Sequence, residues 1–172
     1  LEFRRVLFRS GELERKLSLY EPFIEKEWVR SAVVGTLDSS YREAGRLPEP
    51  YRHWTDFRHV TIGIDLVRDA RVGQFSLTDW NLFRFAISNI VCEVARKRFG
   101  TVEYTELHST RAVLIVHPRP EEPKELLEQK LYELGVKLID AIKSYLKLVV
   151  RVGIGGVKAQ WQHIPDSTEE AF

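Results

Sequence analysis

The chain has 172 residues, of which 44% are hydrophobic and 30% charged, and its formal net charge is +1. This composition is typical of one globular domain, and no apolar run approaches the roughly 20 residues that a membrane-spanning helix needs. Residues 1–10 carry a net charge of +2, so the remainder has no basic excess for neutralising nucleic-acid phosphates. We therefore predict a cytoplasmic protein, and we expect that this chain does not itself bind DNA.

Both ends of the sequence have unusual patterns. Residues 1–10 lack an amphipathic period and resemble a translated sequencing adaptor, so we exclude them from the fold prediction. At the other end, a strand breaks into glycines, and a helix-start pattern opens at Pro165 one turn or so before the sequence stops. These patterns predict a fragment truncated at both ends.

Residues 11–37 predict linker or signalling helices. Their apolar residues recur at spacings of four and three, the period of a helix seam that faces a partner: Leu13, Leu17, Tyr20, Ile24 and Trp28. Pro22 predicts that one helix ends near Tyr20 and that a second begins there and ends before Gly35. A helix docked on its own domain and a helix that pairs in a homodimer fit equally well. Residues 38–57 are predicted as a loop-rich connection.

Residues 58–172 predict one domain. Regular patterns indicate a strand, a capped helix, two hairpin strands, a long helix and a strand, at Val60–Leu66, Ser76 or Thr78 to Gly100, Thr101–Leu107, Arg111–His117, about Glu121–Leu146 and Leu148–Ile154. This βαββαβ order predicts an α+β, ferredoxin-like sandwich whose helices cover one face of an antiparallel sheet.

Three segments in order carry a resemblance to a known family: Ile62–Asp65, Asn81–Ile90 and Val150–Gly155, the last followed by Ser167 and Ala171. They resemble the degenerate GGDEF-like domain of bacterial two-component response regulators, where it lies between a receiver and an AraC-type helix-turn-helix. The resemblance covers roughly Glu21–Phe172. It implies a GGDEF-like fold and a relay role in transcription regulation, with receiver and helix-turn-helix domains as partners in the parent chain. DNA would be contacted only through a domain outside this sequence, and the N-terminal helices would form a homodimer.

True GGDEF enzymes make a cyclic dinucleotide by phosphoryl transfer, which needs carboxylates that hold divalent metal ions. Their signature should occupy the hairpin, but Glu103–Arg111 contains neither a Gly-Gly pair nor an Asp-Glu doublet. Asp65 takes the position where the resemblance places a metal ligand, without a second carboxylate from the hairpin. We therefore predict no enzyme activity and assign no catalytic, cofactor-binding or metal residue.

The remaining candidates for metal or thiol chemistry are interpreted as structural. The five histidines form no i, i+4 pair on a helix and have no cysteine partner, which argues against zinc ligands and predicts that most of them are surface side chains: His53, His59, His108, His117 and His163. Cys92 lies in a helical apolar pattern, which predicts a buried, inert thiol.

Glycine and aromatic residues are the last candidates for ligand binding. The segment Gly153–Gly156 lacks the Gly-Lys-Thr continuation of a phosphate loop, and we predict that it lets the chain pack closely on the following helix. Trp80 and Phe83 have the helical spacing of core residues. Trp54 and Trp161 lie in predicted loops and are candidates for a contact surface or pocket lip.

Two alternative functions follow from the same resemblance. Sugar-diacid regulators suggest a small-molecule sensor, in which the sheet and its loops bind a metabolite. An active nucleotide cyclase is the third hypothesis, and the altered hairpin argues against it.

Overall fold

The computed structural model describes residues 2–37, 45–108 and 110–172. Its helices and strands are α1 Glu2–Val34, β1 Val60–Leu66, α2 Leu77–Phe99, β2 Val102–His108, β3 Arg111–Val116, α3 Lys124–Leu146, β4 Val150–Ile154 and α4 Ile164–Ala171. Three short 3₁₀ helices lie at Glu49–Asp56, Val72–Gln74 and Trp161–His163. The predicted βαββαβ order is confirmed, and β1 has the predicted bounds. Among the described residues, no helix has the length and apolar character needed to cross a membrane.

The four strands form one antiparallel sheet in the order β2-β3-β1-β4. The central strand β1 pairs with β3 from Val60↔Val116 to Asp65↔Arg111, and with β4 on its other side. This order and pairing confirm the predicted α+β, ferredoxin-like sandwich. Because side chains alternate along a strand, the register also fixes which side chains share a face of the sheet.

Helices α2 and α3 cover one face of the sheet and enclose the larger core. Ser76 caps α2 through a reciprocal hydrogen-bond pair with Asp79, and Gly100 ends the helix at φ +69°. Val91 of α2 and Leu138 of α3 are completely buried against the strands. Trp80 and Phe83 pack at the edge of this core, as their spacing predicted.

The opposite face is covered as well, which corrects the prediction that helices cover one face only. The end of α1, the 3₁₀ helix Glu49–Asp56 and α4 pack there around a second core of Val29, Ala32, Val33, Tyr51, Trp54, Val113, Ile115, Trp161 and Ile164. The physical reason is visible in β3, whose residues from Ala112 to Val116 are all buried. A strand that is apolar on both sides needs cover on both sides.

Helix α1 runs without interruption through Pro22, whereas the sequence predicted two helices meeting there. A proline inside a helix removes one backbone hydrogen bond at a cost of about 3 kcal/mol, but its fixed φ is close to the helical value. Pro22 is exposed, so water can bind the carbonyl that loses its donor. The turns on both sides keep their own hydrogen bonds, and the helix continues.

Helix α4 lies directly on the glycines of β4, which confirms the predicted close packing. A Cβ atom built on Gly153 would lie 1.8 Å from the Ala171 carbonyl oxygen, and one on Gly155 would lie 2.0 Å from that of Ser167. The Ser167 hydroxyl accepts a hydrogen bond from the Thr61 N–H (2.9 Å) and donates one to the Gly156 carbonyl (2.8 Å). Small residues are therefore required on both sides of this contact.

Candidate functional site

Asp65, the residue that the resemblance places at a metal position, lies on the α4 side of the sheet. Its cross-strand neighbour in β3 is Arg111, whose Nε atom is 3.6 Å from the Asp65 Oδ2 atom. The Arg111 guanidinium also lies 5.0 Å from the centre of the Phe172 ring. The carboxylate of Asp65 therefore already has a cation as its partner.

Glu106 is a carboxylate of the hairpin in which the signature was expected, and it lies on the α2 side of the sheet. Glu106 pairs with Ala112 across β2 and β3, one position from Arg111, and alternate residues of a strand face opposite sides of the sheet. Its carboxylate accepts a charge-assisted hydrogen bond from Arg84 of α2. Asp65 and Glu106 thus lie on opposite faces, each beside an arginine, and cannot hold one metal ion together.

Two spaces border this hairpin, a small cavity and a groove of about 670 Å³ between α1, α2 and β2. Between α2 and the sheet lies a cavity of about 30 Å³, whose walls include Trp80, Phe83 and the Arg84–Glu106 pair. Such a volume admits water but not a nucleotide. Within residues 2–37, 45–108 and 110–172, no group of three or more His, Cys, Asp or Glu side chains is arranged to hold a metal ion.

The glycines after β4 do not present free amides to a ligand. The Gly155 N–H donates to the Thr61 carbonyl (2.8 Å), and the Gly156 N–H donates to the Glu170 carboxylate. Glu170 also accepts from the Lys158 ammonium at 2.7 Å; this bond first, and the Gly156 N–H second, hold the pKa of Glu170 below its usual value. One amide thus extends the pairing with β1 and the other binds α4, so neither is free to bind a phosphate.

A buried polar cluster lies where α1 and the 3₁₀ helix Glu49–Asp56 meet the sheet. The Nδ1 atoms of His59 and His117 are 2.9 Å apart, and His117 Nε2 hydrogen-bonds the carboxylate of Glu103. The indole N–H of Trp54 donates to the other Glu103 oxygen at 3.4 Å. We call Trp54, His59, Glu103 and His117 the Glu103 cluster. Its histidines are 1% and 5% exposed.

This cluster corrects part of the histidine prediction. His59 and His117 are buried, and His53 is half-buried with its Nε2 atom inside the protein. Exposed positions are confirmed for His108 and His163. The error has a simple origin. His59 immediately precedes β1 and His117 immediately follows β3, so only the register of these two strands brings the rings together.

Trp54 and Trp161 are buried, which corrects their assignment to a contact surface or pocket lip. Trp54 is completely inaccessible and Trp161 is 4% exposed, because both rings lie in 3₁₀ turns beneath α1. The Trp28 ring of α1 lies 5.4 Å from Trp54 and 6.1 Å from Trp161, and it stacks on Tyr51 at 4.8 Å. This aromatic group holds α1 against the second face of the sheet.

The outer part of α1 has no cover among the described residues. No described side chain before Val29 is buried, and four apolar side chains are 59–73% exposed: Leu19, Tyr20, Phe23 and Ile24. The predicted seam includes Tyr20 and Ile24; the side chains of Leu13 and Leu17 lie outside the described set. The last residue of the predicted seam, Trp28, instead packs inward against Tyr51, Trp54 and Trp161.

Two of the ligand-sized surface grooves lie beside elements of the candidate site or of β4. One of about 670 Å³ lies between α1, α2 and β2, and Cys92 lines it. Cys92 is half-buried, and burial raises the pKa of its thiol, as expected for an unreactive side chain. The other, of about 710 Å³, lies between α3 and the segment after β4, with apolar walls and the cations Arg58 and Lys124.

No protein-family model and no curated relative matches the chain. The chain is similar to diguanylate cyclase SiaD, solved in complex with its activator SiaC from Pseudomonas aeruginosa, at 11% identity and a TM-score of 0.44. That similarity covers 89% of this chain and 62% of the other, so this chain spans less than two thirds of that protein. It is also similar to the GGDEF domain of the PA2567 protein from Pseudomonas aeruginosa, at 17% identity and a TM-score of 0.38, over 67% and 70% of the two chains. The fold is assigned from the strand order, pairing and helix positions of this chain itself.

Proposed function

We propose that this chain is a non-catalytic regulatory module that relays a signal within a transcription regulator of the AraC type. In the parent protein it would link a receiver domain to a helix-turn-helix domain, and DNA would be bound only by the latter. The homodimer would form through α1. The chain contributes contacts and movement rather than a reaction.

The positions of Asp65 and Glu106 are the main support for a module without catalytic activity. Divalent-metal phosphoryl transfer needs at least two oxygen ligands that converge on one ion, together with room for the phosphates. Here the two carboxylates lie on opposite faces of the sheet, beside Arg111 and Arg84 respectively. The cavity of about 30 Å³ between α2 and the sheet is too small for a nucleoside triphosphate, and the groove of about 670 Å³ is lined by Glu106 but not by Asp65.

The relay part is supported by α1, whose residues 11–34 alone are about 36 Å long at 1.5 Å per residue. Its last turns are buried on the sheet, and its outer turns expose Tyr20 and Ile24 at the spacing of a helix seam. A helix fixed at one end and open to pairing at the other can change the relative placement of two attached domains. In a dimer of DNA-binding domains, that placement sets the spacing of half-sites.

Incubation of the chain with GTP and Mg²⁺, with products separated by chromatography, tests the non-catalytic part. We expect no pyrophosphate release and no cyclic dinucleotide above the level of a protein-free control. Turnover that increases in proportion to protein concentration and disappears in Asp65→Ala would contradict the proposal. Purification of Asp65→Ala by the same procedure controls for a contaminating cyclase.

A small-molecule sensor is the second candidate, favoured by the groove between α3 and the segment after β4. Its volume of about 710 Å³ falls in the range of ligand pockets, and Arg58 and Lys124 border apolar walls. A metabolite that binds there would raise the melting temperature. Ala159→Trp, at an exposed position in the groove, should abolish that increase. A ligand whose stabilisation persists in Ala159→Trp binds elsewhere and removes this candidate site.

A further inference from the structure

The Glu103 cluster connects the layer formed by α1 and the 3₁₀ helix Glu49–Asp56 to three strands of the sheet. Glu103 belongs to β2, whereas His117 and His59 adjoin β3 and β1. The Trp54 indole hydrogen-bonds Glu103, and the Tyr51 hydroxyl hydrogen-bonds the Glu25 carbonyl of α1 at 3.4 Å. An unbroken series of contacts therefore runs from β1 to α1.

The ring nitrogens of His59 and His117 have hydrogen-bond partners, with the exception of His59 Nε2. The neutral tautomers that satisfy these contacts put one proton on His117 Nε2, which donates to the Glu103 carboxylate, and one on His59 Nδ1, which donates to His117 Nδ1. The Nε2 atom of His59 is buried without a hydrogen-bond partner. A proton added to the His59 ring would therefore place a positive charge in a buried site, where only the Trp54 backbone favours the charged form.

We propose that the Glu103 cluster is a proton-sensitive latch, which holds α1 and the 3₁₀ helix Glu49–Asp56 on the sheet while His59 is neutral and releases them when His59 is protonated. This inference deepens the proposed relay, because α1 is the element that moves in it. In this proposal, a fall in pH weakens the contact between the C-terminal turns of α1 and the sheet.

Three influences lower the pKa of His59, and one raises it. Burial is the largest influence, the neighbouring His117 is the second, and the more distant His53 adds to both; the backbone of Trp54 opposes them in part. The carboxylate of Glu103 contacts the far nitrogen of the His117 ring, and Lys158 pairs with His59 only through backbone atoms (2.8 Å each way). Burial and the two neighbouring histidines outweigh the Trp54 backbone and lower the pKa of His59 to about 3.

The sign of the effect follows from linkage. A released His59 has its ordinary pKa of about 6.5, whereas the docked ring titrates near 3. Above pH 6.5 both states are neutral, so docking is at full strength. Between pH 6.5 and 3 the released state binds the additional proton. At pH 5 the equilibrium should have shifted about 30-fold toward release, compared with pH 8.

Hydrogen exchange of the full chain, followed by mass spectrometry at pH 8 and pH 5 and corrected for the intrinsic exchange rates, tests the latch. We expect protection in residues 28–34 and 49–56 to fall about 30-fold, while α3 keeps its protection. The variant His59→Gln should lose this pH dependence. The matched control His163→Gln, which changes an exposed histidine, should keep it.

Three results would overturn the latch: unchanged protection of residues 28–34 at pH 5, equal loss of protection in α3, or the same pH dependence in His59→Gln. If His59→Gln does not fold, the latch can be tested by an NMR titration of the histidine rings in the wild-type protein. A His59 ring that stays neutral in the docked state at pH 5 supports the latch, and one that titrates near 6.5 while docked contradicts it. The GTP assay is independent of all these results, so failure of the latch and failure of the non-catalytic assignment are distinguishable.

Discussion

The backbone N–H of Thr61 in the central strand donates a hydrogen bond of 2.9 Å to the Ser167 hydroxyl of α4. The same hydroxyl donates to the Gly156 carbonyl, so one serine side chain joins α4 to both β1 and the segment after β4. Ser167 is completely buried, and a side chain larger than serine would separate the helix from the sheet. This contact positions α4 over Gly153 and Gly155.

The variant Gly153→Ala should destabilise the protein by about 3 kcal/mol, because the new methyl group has no space between β4 and the Ala171 carbonyl. Urea unfolding monitored by circular dichroism measures the change in the free energy of unfolding. Gly73→Ala is the matched control, since no atom lies within 4 Å of its added Cβ. Equal stability of the two variants would show that α4 does not pack on β4 as described.

The sequence predicted the parts of the fold that depend on local pattern. Strand β1, a capped start of α2 at one of the two predicted residues, Ser76, and Gly100 at the end of α2 each have a cause within a few residues, and each is confirmed. The predicted break at Pro22 was wrong because one missing hydrogen bond does not end a long helix. The close packing of α4 was predictable from glycines alone, since they offer the only surface that a backbone can approach so closely.

The candidate site was less accessible to sequence reasoning. His59 and His117 are 58 residues apart, and only the Val60↔Val116 register brings them into contact. The opposite orientation of Asp65 and Glu106 also depends on register, although the absence of the signature in the hairpin was visible at once. Burial of Trp54 required knowledge that the second face of the sheet is covered, which depends on long-range packing of α1.

Replacement of Trp54 by alanine should destabilise the protein by about 4 kcal/mol, because the ring is completely buried between α1 and the sheet. Its indole N–H is also a partner of Glu103, which would lose one hydrogen bond. Thermal unfolding measures the effect, and Trp80→Ala, at the edge of the other core, should cost less. A Trp54→Ala variant as stable as the wild type would place this ring at the surface.

Ionisation of the buried Tyr51 phenol should lower the stability of the protein at alkaline pH. Burial first, then the charges of Glu25 and Glu103, raise the pKa of its phenol to about 12 from the usual 10. The raised pKa stabilises the folded state fully below pH 10, and this contribution is lost as the pH rises toward 12. At pH 11 the free energy of unfolding should have fallen by about 1 kcal/mol on this account.

Chemical denaturation of the wild type and of Tyr51→Phe at pH 8 and pH 11 isolates the contribution of Tyr51. The phenylalanine variant lacks the phenol and should lose less stability over this range. Tyr132→Phe, at an exposed position on α3, is the matched control and should behave like the wild type. An identical alkaline loss in all three proteins would assign it to other groups.

Self-association through α1 predicts that Ile24→Lys weakens the dimer. Ile24 is 59% exposed and lies at a seam position, so a lysine there places two like charges in the pairing surface without disturbing either core. Sedimentation equilibrium over a range of concentrations should show a dimer for the wild type and at least a tenfold higher dissociation constant for the variant, equivalent to about 1.4 kcal/mol.

Tyr145→Lys is the control for this experiment, because Tyr145 is 76% exposed on α3 and takes no part in the predicted seam. It should dimerise like the wild type, and unchanged melting temperatures should accompany both substitutions. A monomeric wild type at several hundred micromolar, or a dimer unaffected by Ile24→Lys, would remove α1 as the pairing element. A dimer disrupted by Tyr145→Lys instead would place the interface on α3, on the opposite face of the sheet from the base of α1.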